Sequence, residues 1–190
     1  MKLFYNRPSP YARKVLVFIH EKKLADAVDL VAVDPWTDPP ELLAATPLAK
    51  VPALLTEDRL LIVESTAICQ CLDGIGSGKP LAGTDAQLLA RAGLAHGLMD
   101  AAFQIVIERR RPAERQWQAW IDRQHRAIQR AVPRVQSAKG RFDLGDITLA
   151  CALAYLDFRL PEIAWRSWSP QLSAWLEEVA ARPSMQATKP

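Results

Sequence analysis

Apolar positions along this chain fall into two regimes: short runs of strand length up to about residue 73, then recurrences at helical spacing from residue 84 onward. In the first regime Lys2-Leu3-Phe4-Tyr5 is a short strand, broken by Asn6-Arg7-Pro8. Ser9-Pro10 then carries the N-cap and first-position signature of a helix, and Tyr11, Val15, Phe18 and Ile19 recur behind it at helical intervals. Ala27 to Val33 makes a second strand. Strand, helix and strand in that order imply a parallel pair. Asp34 to Thr46, rich in Pro and Asp, is a loop with one helical turn around Glu41-Leu42-Leu43. Two further apolar runs, Val51 to Leu55 and Leu60 to Val63, flank the turn Thr56-Glu57-Asp58-Arg59 and predict a hairpin that feeds a helix ending near Asp73.

Gly74 to Pro80 is glycine-rich and separates the regimes. The first domain therefore spans 1–76, the linker about 77–83, and an all-helical second domain 84–190. Thr84-Asp85-Ala86-Gln87 fits a capping box ahead of one apolar stripe, Leu88, Ala92, Ala95, Met99, Phe103 and Val106, which stops before Pro112. A second helix is predicted from about Ala113, with Trp117, Ile121 and Ile128 on its apolar side. Asp143-Leu144-Gly145-Asp146 places acidic side chains at N-cap and N3 of a helix whose body, Ile147 to Leu156, is apolar on nearly every face. Such a helix belongs in the middle of its domain. Ser169-Pro170 opens another, carrying Leu172, Trp175, Leu176 and Val179 and ended by Pro183.

Composition narrows the function classes. At 190 residues with 49% hydrophobic content the chain builds a proper core, while no apolar run reaches the roughly 18 residues of a membrane span. The N-terminus lacks a signal peptide's apolar stretch, so the expectation is a cytoplasmic protein with no membrane partner. Three cysteines are too few for a disulfide scaffold and are expected as structural thiols, and three scattered histidines offer no metal-ligand spacing. The net charge of +3 arises in the second half, because residues 1–83 hold 9 basic and 10 acidic residues against 15 and 11 afterwards. Glu108-Arg109-Arg110-Arg111 closes a helix, where cations complement the dipole; this is a solvated helix end, with no nucleic-acid motif beside it.

Three places carry candidate chemistry. Pro52 opens a strand and cannot donate to its ladder, so Val51 before it is extended and offers its backbone N–H and C=O to something outside the sheet. Glu64-Ser65 stands where strand gives way to helix; Ser65 is the predicted N-cap, beside N–H groups that attract a carboxylate. Ser9 combines a hydroxyl with a helix N-terminus, an environment that stabilises a thiolate.

Lys50-Val51-Pro52-Ala53-Leu54 followed by Glu64-Ser65-Thr66-Ala67-Ile68 resembles the glutathione site of the glutathione S-transferase superfamily, and the resemblance extends over essentially the whole chain. It implies a thioredoxin-like α/β first domain with a mixed four-stranded sheet, followed by an all-α helical bundle. It implies glutathione as co-substrate, with Val51 before a cis Pro52 pairing with the cysteinyl part, and Glu64 and Ser65 holding the amino and carboxylate groups of the γ-glutamyl end. Ser9 falls where the family keeps its catalytic Tyr, Ser or Cys, and Ser9-Pro10-Tyr11-Ala12-Arg13-Lys14 is most similar to bacterial members.

The activity so implied is conjugation of the thiolate to a small hydrophobic electrophile, a detoxifying reaction, with Tyr5 and Asn6 as nearby understudies to Ser9. Met99 and Phe103 either line an apolar pocket for the electrophile or are ordinary core. Asp100 would reach the γ-glutamyl amine held by the partner subunit of a homodimer. Asp146 resembles the family's buried structural aspartate, although Asp143 stands where Ser or Thr is usual. Two other classes stay open: a non-catalytic interaction protein of the same fold, and a glutathione-dependent thiol transferase or reductase, which a cysteine at position 9 would favour.

Overall fold

The computed structural model describes residues 1–138 and 140–190, which divide into two compact units. The first runs β1 (Lys2–Tyr5), α1 (Pro10–Glu21), β2 (Asp29–Ala32), α2 (Pro40–Ala45), β3 (Ala53–Leu55), β4 (Leu61–Val63) and α3 (Ser65–Ile75). The four strands form one mixed sheet in the order β2-β1-β3-β4, with β1 parallel to β2 and antiparallel to β3. Phe4 and its cross-strand partner Ala53 cluster with Val33 and Leu42 on one face. The pleat turns Leu3 and its partner Leu54 to the other face, and both are fully buried. On α1 and α3, which pack together, Val15, Phe18, Ile68 and Leu72 are likewise fully buried. Each such side chain contributes roughly 1.5–3 kcal/mol over an exposed one.

Two buried charges fasten this unit. Lys22, just past α1, lies 3.0 Å from Asp73 Oδ1 near the end of α3, and Asp73 also accepts from the N–H groups of Leu81 and Ala82. Burial pushes the Asp73 carboxyl up, but those two N–H groups and the Lys22 ammonium outweigh it and hold the group below the ordinary carboxylate value. Gly76 is required beside this pair, because a Cβ there would stand 2.6 Å from the Lys22 side chain.

The second unit, 84–181, is helical: α4 (Ala86–Glu108), α5 (Gln118–Ala131), α6 (Leu144–Arg159), α7 (Trp165–Trp168) and α8 (Pro170–Ala180). As its sequence requires, α6 is central, with every residue from 143 to 153 buried and both α4 and α8 packed on it. Asp143 caps it, accepting from the N–H groups of Gly145 and Asp146. Arg91 of α4 reaches both acids, Asp143 through Nη2 and Asp146 through Nη1. Gly145 makes room for this contact, since a Cβ there would stand 2.9 Å from the guanidinium.

The second helix starts later than its pattern predicts. Trp117 donates its N–H to Glu108 Oε1 at 2.8 Å, which holds it extended outside α5, and its ring stacks on Trp120 in solvent instead of joining the apolar face. At the end of α4, Arg111 pairs with Glu108 and Arg109 with Glu162. Among the described residues no helix is long and apolar enough to cross a membrane.

The sequence reading carries the helical domain to residue 190, but Arg182–Pro190, which includes α9 (Pro183–Ala187), groups with the first unit. Charge explains the difference. Glu21 at the end of α1 receives Arg182 Nε and Nη2 at 3.0 and 2.7 Å and the Ser184 hydroxyl. Arg13 Nη2 donates to the Met185 carbonyl at 3.2 Å, and Arg7 Nε to that of Lys189 at 3.0 Å.

Candidate functional site

Strand register assembles the site. Phe4 pairs with Ala53 and Ala53 with Val63, so one row crosses β1, β3 and β4 near a single end of the sheet. Besides the exit from β2 at Val33, the chain leaves or enters that end at three points: the loop from Tyr5 to Ser9, the Val51-Pro52 approach to β3, and the Glu64-Ser65 exit from β4. With neighbouring strands about 4.8 Å apart, the outer two of these points lie on the order of 10 Å from each other, a span a tripeptide fills. Lys14 ties two of the helices there, donating from Nζ of α1 to Thr66 Oγ1 on the first turn of α3 at 3.0 Å.

Ser9 is the N-cap of α1, with extended backbone and Oγ accepting from Ala12 N at 3.2 Å. That bond uses a lone pair. The hydroxyl hydrogen has no acceptor among the described residues and remains available to donate. Asn6 donates one of its two side-chain N–H groups from Nδ2 to the Val33 carbonyl at 2.8 Å.

The Val51–Pro52 peptide is cis. Val51 is half-buried against the cluster around Phe4, Pro52 is buried, and β3 begins only at Ala53. The Val51 N–H and C=O find no hydrogen-bond partner among the described residues, so both can pair with another extended backbone.

The exit from β4 differs from the sequence expectation in one respect: the N-cap of α3 is Glu64, not Ser65. The Glu64 carboxylate folds over the helix end, accepting from Thr66 N at 3.1 and 3.0 Å and from Ala67 N at 3.2 Å. Ser65 becomes the first helical residue, buried, with Oγ donating to Glu64 Oε1 at 3.2 Å. Glu64 takes up this position at a φ of +74°. A non-glycine residue held there is strained, which is characteristic of ligand-gripping turns. The result is an acid and a hydroxyl side by side on a helix N-terminus, suited to an ammonium and a carboxylate on one ligand.

Models of the glutathione S-transferase N-terminal and C-terminal domains match residues 8–75 and 118–178. The chain belongs to the glutathione S-transferase superfamily. A glutathione transferase family member from Pseudomonas fluorescens Pf-5, solved with bound glutathione, is 38% identical at a TM-score of 0.93, over 100% of this chain and 98% of that one. A second structure of that protein, with bound S-(propanoic acid)-glutathione, matches at a TM-score of 0.89 over 100% and 99% of the two chains. The uncharacterized GST-like protein YibF of Escherichia coli K12 is 27% identical over 201 residues, covering 100% of this chain and 98% of that protein.

Within this glutathione S-transferase fold, Ser9, Val51, Pro52, Glu64 and Ser65 all lie in the first unit, whereas Met99, Asp100 and Phe103 lie on α4 in the second. Met99 is fully buried and Phe103 partly so, while Asp100 is half-exposed with Oδ1 3.6 Å from His96 Nε2. Two features of the first unit escape a reading of the sequence. One is the capping role of Glu64, masked by the better intrinsic cap, serine, beside it. The other is Lys14, which is 1% exposed. Its signal was its place on the apolar stripe, three residues after Tyr11 and four before Phe18.

Proposed function

We propose that this protein is a glutathione transferase that conjugates the glutathione thiolate to a small hydrophobic electrophile. The observation that carries the reading is the register of the sheet, which brings the Ser9 hydroxyl, the unpartnered Val51 backbone and the Glu64–Ser65 pair to one sheet end. In this reading the cysteinyl backbone of glutathione pairs with Val51. Its γ-glutamyl ammonium meets the Glu64 carboxylate, and its γ-glutamyl carboxylate meets the Ser65 hydroxyl and the N-terminus of α3. Ser9 donates to the sulfur. A relative solved both with glutathione and with an S-substituted glutathione supports both the ligand and chemistry at its sulfur. Serine at position 9 favours thiolate activation over thiol exchange, because exchange needs an attacking sulfur at that place and a hydroxyl is not one.

Retention on glutathione resin, with elution by soluble glutathione, tests the reading, and Ser65→Ala sharpens it. That variant should bind glutathione about tenfold more weakly, the low end for a hydrogen bond to a charged group because Ser65 already shares its proton with Glu64. Its melting temperature should barely change, since Glu64 supplies the cap. Unchanged affinity by calorimetry would remove Ser65 from the clamp. The homodimer belongs to the same proposal: light scattering should give twice the 21.2 kDa chain mass, and a monomer would remove the cross-subunit role of Asp100.

A further inference from the structure

We propose that Lys14 is a positioning residue of the γ-glutamyl clamp, holding the first turn of α3 from inside the fold and supplying the positive charge that lets a second carboxylate dock beside Glu64. This rests on the glutathione-binding reading and adds to it a residue that never touches the ligand's sulfur.

The geometry is direct. Lys14 is 1% exposed, and its Nζ donates to Thr66 Oγ1 at 3.0 Å. Thr66 in turn donates its backbone N–H to both oxygens of Glu64, whose Oε1 also accepts from Ser65. A single short path therefore runs from the Lys14 ammonium through Thr66 to both members of the clamp. Burying an ammonium is costly, and a methionine or leucine would fill the same place on the apolar stripe without that cost. A charge kept there calls for an electrostatic use.

That use follows from counting charges at the helix end. Glu64 already lays one full negative charge over the N-terminus of α3. The helix offers about half an elementary charge in return. Glutathione brings to the same turn an ammonium, which offsets Glu64, and a second carboxylate, so without a further cation that carboxylate would face only the half charge. Lys14, set behind the turn and shielded from water, makes up the difference where a surface lysine would be screened. Because it bonds the hydroxyl of Thr66, it also fixes how that turn presents Ser65.

The test compares two ligands by calorimetry: glutathione and 4-aminobutyryl-cysteinyl-glycine, which keeps the amine, the thiol and the peptide but lacks the γ-glutamyl carboxylate. Lys14→Met should weaken glutathione about tenfold or more and leave the analogue within about twofold, so that the two ligands converge. Lys14→Arg should restore most of the difference. Thr66→Val keeps the buried charge but cuts the path, and should lose part of the preference for glutathione with no loss toward the analogue; it also reads the proposal should Lys14→Met fail to fold. Equal losses for both ligands, or no loss for either, would make Lys14 a structural residue and overturn the proposal. A wild-type protein that binds the two ligands alike would instead sink the clamp itself, and Lys14's role with it.

Discussion

Replacing Ser9 by alanine should raise the pKa of the bound glutathione thiol by about one to two units and slow conjugation at neutral pH about tenfold, with glutathione affinity staying within a few-fold. The lost interaction is one hydrogen bond to a charged acceptor, roughly 1.5–3 kcal/mol, and each pKa unit corresponds to about 1.4 kcal/mol. A two-unit rise removes up to about a hundredfold in thiolate. The more basic thiolate is a better nucleophile, which returns close to tenfold at a Brønsted slope of about 0.4–0.5. Affinity is insulated because the other contacts of the reading lie at Val51, Glu64 and Ser65. Ultraviolet titration of the bound thiolate measures the first quantity and a conjugation assay the second. Ser9→Cys should lose conjugation and gain disulfide exchange with glutathione, since its sulfur now reacts instead of donating. A Ser9→Ala protein with unaltered thiolate pKa and rate would hand the role to Tyr5, to Asn6, whose amide has a second N–H besides the one on Val33, or to the N-terminus of α1.

Arg91→Ala should destabilise the second unit by about 3–5 kcal/mol at pH 7.5, and by clearly less at pH 5. The guanidinium is the cation facing two buried carboxylates, and removing one partner of a buried pair strands the other. The pH term comes from Asp146. Burial pushes its carboxyl up, the Ala138 N–H lowers it, Asp143 raises it and Arg91 lowers it, leaving it at about 6, above the ordinary 3.8. Its Oδ2 finds no hydrogen-bond partner among the described residues. A raised folded-state pKa means that the native protein binds the proton more readily than the unfolded chain, so this group's contribution to stability improves as pH falls through 6 toward 4 and worsens as pH rises. Without Arg91 the folded-state pKa climbs further, and the loss shrinks once Asp146 is protonated. Urea melts of both proteins at the two pH values check this. A loss of equal size at pH 5 and 7.5 would refute the account of Asp146.

Local signals were legible wherever one residue type has one strong habit. Ser9-Pro10 caps α1 and Asp143 caps α6, as their chemistry dictates, and the apolar run after Asp143 is buried on all sides. The parallel pair and hairpin follow from lengths and turn residues alone. What stayed hidden depends on neighbours distant in sequence or on backbone that residue preferences argue against. Glu64 adopts a left-handed φ that no propensity favours for glutamate, and so it displaces Ser65 as cap. Trp117 is apolar at the right helical position, yet its N–H is taken by Glu108 nine residues earlier. Lys14 sits on an apolar stripe where a cation looks misplaced until Thr66 is seen opposite.

The attachment of Arg182–Pro190 to α1 has a consequence for the order in which this protein can be completed. Arg13 meets its carbonyl partner 172 residues later in the chain, Glu21 meets Arg182 161 residues later, and Arg7 meets Lys189 182 residues later. During synthesis the whole helical unit is made before these partners exist. Arg13, buried in the finished protein, and Glu21 wait for these partners until residues 182–190 have been made. Such closure over nearly the full chain length is slow to form and belongs at the end of folding. The helix that presents Ser9 is therefore finished only after the helical unit has been made, and a chain cut after Gly83 carries the candidate site residues of the first unit on a scaffold that has lost its fastening.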